Sequence, residues 1–155
     1  LKVGDRAPAF TLKCNDGRLI SIADFAGQKQ VVLFFYSKDD SESDASDARA
    51  FRDAMDRFKT MNSEVIGVSV DYVYAHREFE KTNKLNFLLL CDTTKIVTAA
   101  YGLLRGEGYG GRPTVIVGKQ GLLKATFPTV KPETHIEEVL KALKGGGAIS
   151  NLPKL

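Results

Sequence analysis

Three short, almost uninterrupted apolar runs constrain the fold of this chain more than any other feature. They are QVVLFFY (30–36), EVIGVSV (64–70) and FLLLCD (87–92). Runs of this length without polar alternation are typical of strands that a sheet buries on both faces. Between them, apolar residues recur at steps of three and four over 44–61, and the polar segment 75–83 has a narrow apolar face. Both patterns predict helices, so strands alternate with helices and an α/β fold is indicated.

The flanking segments complete this prediction. FTLKCNDGRLISI (10–22) alternates as a hairpin does, and Ser21 opens a capped helical turn that Gly27 ends. Four further elements are predicted nearer the end of the chain: a short helix over 95–102, strands over 113–117 and 122–127, and a helix over 131–144. We expect one domain over 1–144, with a mixed central sheet flanked by helices, and a flexible tail, GGGAISNLPKL, over 145–155.

Composition excludes several classes of function. The net charge is only +3, and the basic residues are scattered, which is not the pattern of a nucleic-acid-binding protein. No apolar run approaches the length of a membrane span. GEGYGG (106–111) fits the dinucleotide fingerprint but precedes a strand, so we predict a loop there and no cofactor. His76 and His135 are predicted to be exposed on amphipathic helices, and without clustered ligands no metal site is expected.

The segment DDSESDASD (39–47) is the most unusual in the chain, with five acidic residues and three serines. One interpretation is a solvated loop and helix start rich in N-capping residues. A cation site is a second, although the spacing is not that of a calcium loop. A patch that faces a partner or is phosphorylated is the third.

Several motifs occur in the order found in one enzyme family. They are KVGDRAPAFTL, DFAGQKQVVLFFY, AFRD, EVIGVSVD, LLLCD and GRPTVIVGKQG, spread over nearly all of 1–144. Together they resemble the peroxiredoxins, and within them the bacterioferritin-comigratory/peroxiredoxin Q group. This resemblance implies a thioredoxin-like fold of the peroxiredoxin type.

The resemblance also implies a site around the start of the helix after the first central strand. Carried over by position, the family's proline falls on Ser37, its hydroxyl residue on Ser41, its peroxidatic cysteine on Asp44 and its arginine on Arg112. The resolving cysteine falls on Arg49. The site is therefore expected to be vestigial, with no active catalytic residue.

The chemistry of peroxide reduction explains why the substitution matters. A thiolate attacks the O–O bond and becomes a sulfenic acid, and a helix N-terminus with a nearby arginine stabilises that anion. The same positive field would stabilise a carboxylate at Asp44, but a carboxylate cannot form a sulfenic acid. The negative charge of the site is therefore kept, while the ability to reduce peroxide is lost. We expect Arg112 to form a structural ion pair, with Asp44 as its candidate partner.

Three functions are compared. The first is a non-catalytic subunit of a larger assembly, which binds protein partners through the tail 146–155 and the acidic segment 39–47. The second is a thiol-dependent peroxidase that uses Cys91 or Cys14, although both cysteines also fit as small hydrophobic core residues. The third is a module regulated by phosphorylation of the acidic segment. An assembly subunit should bury both thiols, whereas an enzyme must expose one in an electropositive setting.

The compartment is predicted from the resemblance and from the start of the chain. The matched group occurs in bacteria and in plastids. The chain begins without Met and its start resembles a processed mature end, which favours a plastid over the alternative, a bacterial cytoplasm.

Overall fold

A computed structural model describes residues 2–36, 42–102, 113–127 and 134–145, with the exception of the side chain of Ser43. In chain order the strands are β1 Thr11–Lys13, β2 Leu19–Ser21, β3 Gln30–Phe35, β4 Ser63–Ser69, β5 Leu88–Cys91, β6 Thr114–Val117 and β7 Leu123–Phe127. The α-helices are α1 Glu42–Asp53, α2 Met55–Thr60, α3 Val73–Asn83, α4 Ile96–Ala100 and α5 His135–Lys144, and a 3-10 helix spans Ile22–Phe25.

The central sheet is mixed, with the strand order β5-β4-β3-β6-β7. The strands β3, β4 and β5 are parallel. The strand β6 runs antiparallel to β3, and β7 runs antiparallel to β6. The three apolar runs therefore form the parallel half, since helical crossovers cover both faces of such a sheet. The predicted α/β architecture, a mixed central sheet flanked by helices, is confirmed.

The two faces of the sheet carry separate apolar clusters, and β3 contributes alternate residues to each. Phe34 and Tyr36 face the cluster formed with α1, α2, α3 and α5. Leu33 and Phe35 face the cluster formed with the N-terminal segment and α4. All four of these side chains are fully buried. Burial of such a side chain stabilises a fold by about 1.5–3 kcal/mol, so β3 anchors the domain.

A glycine in the middle of β4 permits this packing. A Cβ placed on Gly67 would stand 2.8 Å from Cδ2 of Leu89 and 3.2 Å from Cε1 of Tyr36. Such approaches are closer than ordinary van der Waals contact, so a side chain here would displace its neighbours. The glycine in EVIGVSV therefore makes room for the Tyr36 ring.

The predicted helix over 44–61 is in fact two helices. The first begins at Glu42, and the break lies at Ala54, where φ is −95° and ψ is 4°. The N–H of Ala54 is shared between the carbonyls of Ala50 and Phe51, at 3.2 Å each. Such bifurcated bonds are common at helix ends, and here α1 gives way to α2 without losing the stripe of buried residues.

Candidate functional site

The first turn of α1 carries a buried carboxylate. The strand preceding it ends at Phe35, after which the N–H of Tyr36 bonds the Val68 carbonyl at 3.0 Å. Asp44 lies in the first turn of α1 and is fully buried. The free N–H groups and the dipole of a helix N-terminus favour an anion at this position. Of the vestigial site implied by the resemblance, only Asp44 is described, because Ser37, Ser41 and Arg112 lie outside the described residues.

The acidic segment is only partly solvated, which corrects one interpretation of 39–47. Glu42 is exposed, but Asp44 and Asp47 are buried. The interpretation of the segment as a solvated loop and helix start is therefore wrong for Asp44 and Asp47. The two remaining acidic residues, Asp39 and Asp40, lie outside the described residues.

Arg49, at the position implied for a resolving cysteine, ties α1 to α3. Its Nη1 donates to Oδ1 of Asn83 at 2.8 Å, and its Nη2 lies 2.7 Å from Oε1 of Glu42. One turn later, Nη1 of Arg52 donates to the backbone carbonyl of Asn83 at 2.7 Å. Because α3 ends at Asn83, two arginines satisfy groups at the C-terminal end of that helix, where cations are favourable.

Both histidines are buried, so the prediction that they would be exposed is wrong. His76 is fully buried on α3 beside Phe79, and its Nε2 lies 2.8 Å from the carbonyl oxygen of Leu90. Because a carbonyl only accepts, Nε2 carries the proton in that bond. The other ring nitrogen, Nδ1, lies 3.5 Å from the Tyr36 hydroxyl. The Tyr36 ring stacks between Phe34 and Phe79, with centroid distances of 5.5 Å.

The second histidine is the first residue of α5, and its ring lies beside Thr114 at the start of β6. His135 is 3% exposed, and its Nε2 lies 2.8 Å from Oγ1 of Thr114. The Phe51 and Phe127 rings pack nearly perpendicular to the His135 ring, each with a centroid distance of 5.7 Å. Sequence periodicity could have found these positions, since each histidine falls on the apolar stripe of its helix.

Neither cysteine has the surroundings of a reactive thiol. Cys14 is fully buried and its Sγ donates to Oδ1 of Asp16 at 2.9 Å. Burial, together with this carboxylate, raises the pKa of Cys14. Cys91 is 7% exposed at the end of β5. Reactive cysteines are partly exposed and lie near positive charge, so the described geometry is that of two buried core residues.

The two cysteines also point away from each other. Cys14 forms an isolated antiparallel bridge with Leu90, and both side chains belong to the cluster below the sheet on the α4 side. Leu89 belongs to the opposite cluster, and alternation along β5 directs Cys91 to that same opposite face. A disulfide between Cys14 and Cys91 would require the backbone to move.

The remaining sequence expectations concern ligands and the membrane. Among the described residues, no group of three or more His, Cys, Asp or Glu side chains is arranged to hold a metal ion. Within the same residues, no helix is long and apolar enough to cross a bilayer. The segment GEGYGG (106–111) and the tail 146–155 both lie outside the described residues.

Comparisons with known proteins identify relatives along most of the chain. The model of the AhpC/TSA family matches residues 3–126. A putative peroxiredoxin bcp of Coxiella burnetii is 35% identical over 150 residues, which are 92% of this chain and 99% of that protein. A chloroplastic peroxiredoxin Q of Oryza sativa subsp. japonica is 39% identical over 145 residues, which are 91% of this chain and 66% of that protein.

Solved structures show the same fold, and they confirm the predicted thioredoxin-like fold of the peroxiredoxin type. A mutant PrxQ of Xylella fastidiosa superimposes with a TM-score of 0.87 and 25% identity, and the match covers 93% of this chain and 96% of that one. The peroxidoxin BcpB of Mycobacterium tuberculosis gives a TM-score of 0.86 at 23% identity, covering 93% and 97%.

Proposed function

We propose that this chain, which belongs to the AhpC/TSA family and is peroxiredoxin Q/bcp-like, has lost the peroxidatic cysteine. In this proposal Asp44 stands where the family carries its attacking thiolate. The protein then serves as a non-catalytic subunit that binds other proteins. The observation that carries the proposal is the fully buried carboxylate in the first turn of α1.

The physical argument starts from what a carboxylate can do at a helix N-terminus. The partial positive charge there stabilises an anion of either kind, a thiolate or a carboxylate. A thiolate attacks a peroxide and is oxidised to a sulfenic acid, whereas a carboxylate has no corresponding oxidation state. Asp44 therefore preserves the local charge balance of the helix end but provides no electrons for peroxide reduction.

The two cysteines offer no substitute. The Cys14 thiol donates to an acidic partner, Asp16, and its pKa is raised, which disfavours the nucleophilic thiolate. Cys91 is nearly fully buried and its side chain is directed to the other face of the sheet. This arrangement supports the non-catalytic function over a peroxidase that uses Cys91 or Cys14.

A role in an assembly is supported by features of the sequence near the chain's end. The tail 146–155 has two further glycines and then Ile149, Leu152 and Leu155, which are too few apolar residues to form a core. An extended peptide of this kind can lay alternate side chains into a groove of another protein. We propose that the tail is a docking arm that becomes ordered only against another chain.

The first test is an activity assay of the full chain. With dithiothreitol or thioredoxin as reductant, we expect hydroperoxide consumption at the rate of the reductant alone. The Cys14→Ser/Cys91→Ser double variant is the matched control and should give the same rate. Turnover above that rate in the unchanged chain, lost on Cys91→Ser or on Cys14→Ser, would overturn the proposal.

The second test concerns partners. The protein is isolated from its native source at low salt, and its structure is determined both alone and with whatever proteins accompany it. We expect residues 146–155 to contact a second chain. A tail that folds back on its own domain in both structures would contradict the docking arm without affecting the activity result.

The compartment remains part of the proposal. The relatives include chloroplastic peroxiredoxin Q proteins and bacterial bcp proteins, and both a plastid and a bacterial cytoplasm are compatible with them. We propose a plastid, and fractionation of the native source followed by detection with an antibody would test it.

A further inference from the structure

A surface pocket of about 190 Å³ lies at the edge of the sheet opposite to Asp44. Its floor consists of the buried residues Ala7, Val31 and Val117. Val31 is at the amino end of β3, whereas α1 follows the carboxyl end of that strand. With a rise of about 3.3 Å per residue, Val31 and Tyr36 are roughly 17 Å apart along the strand. The pocket is thus separate from the candidate site described above.

Small residues keep this pocket open. Four alanines and two glycines are among the residues that line it: Ala7, Ala9, Ala23, Ala26, Gly118 and Gly121. The larger apolar side chains of Ile22 and Phe25 form one wall and are themselves only half-buried. A cavity of about 150 Å³ with apolar walls accommodates benzene, so this pocket has room for one small aromatic ring or a short aliphatic chain.

The charges at the rim are positive. Among the described residues that line the pocket none is acidic, while Arg6 and Lys29 are basic. Nζ of Lys29 lies 3.1 Å from Oε1 of Glu64, so this charge is already compensated. Arg6 is exposed, and within the described part of the chain no carboxylate lies at salt-bridge distance from its guanidinium.

The backbone places the Arg6 guanidinium at the mouth of the pocket. Arg6 pairs with Leu122 in an antiparallel bridge, and the N–H of Ala7 bonds the Gly121 carbonyl at 2.9 Å. Nη1 of Arg6 lies 3.9 Å from the point where a Cβ on Gly121 would stand. Gly121 has a φ of +83°, a conformation that favours glycine, so the turn brings its bare backbone beneath the guanidinium.

We propose that this pocket binds a small monocarboxylate whose apolar body has the size of one aromatic ring. The body occupies the space above Val31 and Val117, and the carboxylate accepts hydrogen bonds from the guanidinium of Arg6. The planar guanidinium presents paired N–H donors that match the two oxygens of a carboxylate. A neutral carboxamide of the same shape has only one acceptor oxygen and forms no ion pair, and a cation is repelled.

The test is a titration of the isotope-labelled full chain with benzoate, followed by amide resonances in NMR spectra. We expect saturable shifts confined to residues around the pocket, among them Ala7, Phe25, Val31 and Gly121, with a dissociation constant of the order of millimolar, as suits a ligand of so few atoms. Benzamide, the neutral analogue, should bind about tenfold more weakly, because it carries no negative charge to pair with the guanidinium.

Three variants make the test specific. Arg6→Gln should weaken benzoate binding about tenfold and benzamide binding much less, since only benzoate loses an ion pair. Arg57→Gln is the matched control, because Arg57 is an exposed arginine paired with Glu137 on other helices, and should change neither affinity. Ala26→Leu should fill the pocket and abolish binding of both ligands.

Several results would overturn the proposal. Shifts that stay linear in benzoate concentration, equal affinities for benzoate and benzamide, or an unchanged affinity in Arg6→Gln would each do so. A chain shortened to 1–145 provides a final control. If its unliganded pocket resonances differ from those of the full chain, the tail 146–155 occupies the pocket, and the small carboxylate is not the natural occupant.

Discussion

Two helices on the same face of the sheet have a buried charge at one end, and the two charges have opposite signs. At the start of α1 the charge is the carboxylate of Asp44, which is fully buried. At the end of α5 it is the ammonium of Lys124, a β7 residue that is 7% exposed. Its Nζ lies 2.6 Å from Oε1 of Gln30 and 3.0 Å from the carbonyl oxygen of Leu143. Each charge has the sign that compensates the dipole of its helix.

The two charges differ in their position in the fold and in the groups around them. Lys124 donates hydrogen bonds to Leu143 at the end of α5 and to Gln30 at the start of β3, so its contribution is to hold these elements together. Burial lowers the pKa of Lys124, which is a desolvation cost that these hydrogen bonds offset. Asp44 follows the carboxyl end of a parallel strand, which is the edge where α/β proteins usually bind ligands. A charge of the first kind should be revealed by unfolding experiments and one of the second kind by chemistry.

The largest effect is expected at Lys124. Lys124→Ala removes the donor to Gln30 and Leu143 and leaves a space in the interior, so the free energy of unfolding should fall by about 2–4 kcal/mol. Denaturant unfolding measures this, with Lys141→Ala on the exposed side of α5 as the control, where the change should be below about 0.5 kcal/mol. Equal, small changes in both variants would show that Lys124 does not stabilise the fold.

The next effect concerns the chemistry of the α1 terminus. Asp44→Cys, made in a chain that also carries Cys14→Ser and Cys91→Ser, should give a thiol whose pKa is about one unit or more below the ordinary value of about 8.5. Little peroxide turnover should result, because Ser37 cannot shield the site as a rigid proline would and Arg49 is no resolving thiol. The ultraviolet absorbance of the thiolate, followed against pH, gives the midpoint. A midpoint at the ordinary value would mean that Asp44 is not at the family's cysteine position.

A smaller effect is expected where α1 is tied to α3. Arg49→Ala should lower the free energy of unfolding by about 1 kcal/mol, since it removes a half-buried contact with Asn83. Arg57→Ala, which removes an exposed pair with Glu137, should cost less. Amide hydrogen exchange would then rise in α1 more than in α5. If the two variants lose stability equally, the Arg49 contact is no stronger than a surface ion pair.

The smallest effect concerns a buried group that is neutral, Cys14. Its raised pKa means that the folded protein retains the thiol proton to a higher pH than the unfolded chain does. The associated stability is present below the unfolded pKa of about 8.5 and is lost as pH rises through the folded pKa. The difference in unfolding free energy between the unchanged chain and Cys14→Ala should therefore shrink above about pH 8.5. A difference that grows with pH would show that the thiolate is the stabilised form.

Most of the architecture could be predicted from the sequence, because the pattern of apolar residues determines it directly. The runs over 30–36, 64–70 and 87–92 are the parallel strands, and the hairpin at the start of the chain pairs as expected, with Leu12 opposite Ile20. The break at Ala54 could not be predicted, since alanine favours the helix interior and the apolar stripe continues across it.

Predictions failed where a polar side chain is buried. His76 and His135 are predicted to be exposed, and one interpretation places Asp44 and Asp47 in a solvated segment, yet all four are buried. Residue type alone does not reveal this, because burial of a polar group depends on a partner from a distant part of the chain. Leu90 and Thr114, which supply contacts to the two histidines, are 14 and 21 residues away.

The bridge between Cys14 and Leu90 also governs how this protein can associate. The outer edge of β5 is covered there, and the N–H of Leu89 is satisfied by Oδ1 of Asn15 at 3.2 Å. At the other margin of the sheet, Leu123 exchanges backbone hydrogen bonds with Gly4 and Asp5, at 2.8 Å each. At these positions neither margin has unpaired backbone donors and acceptors with which a strand of another chain could pair. The sheet is therefore protected at these positions from edge-to-edge pairing with a strand of another chain.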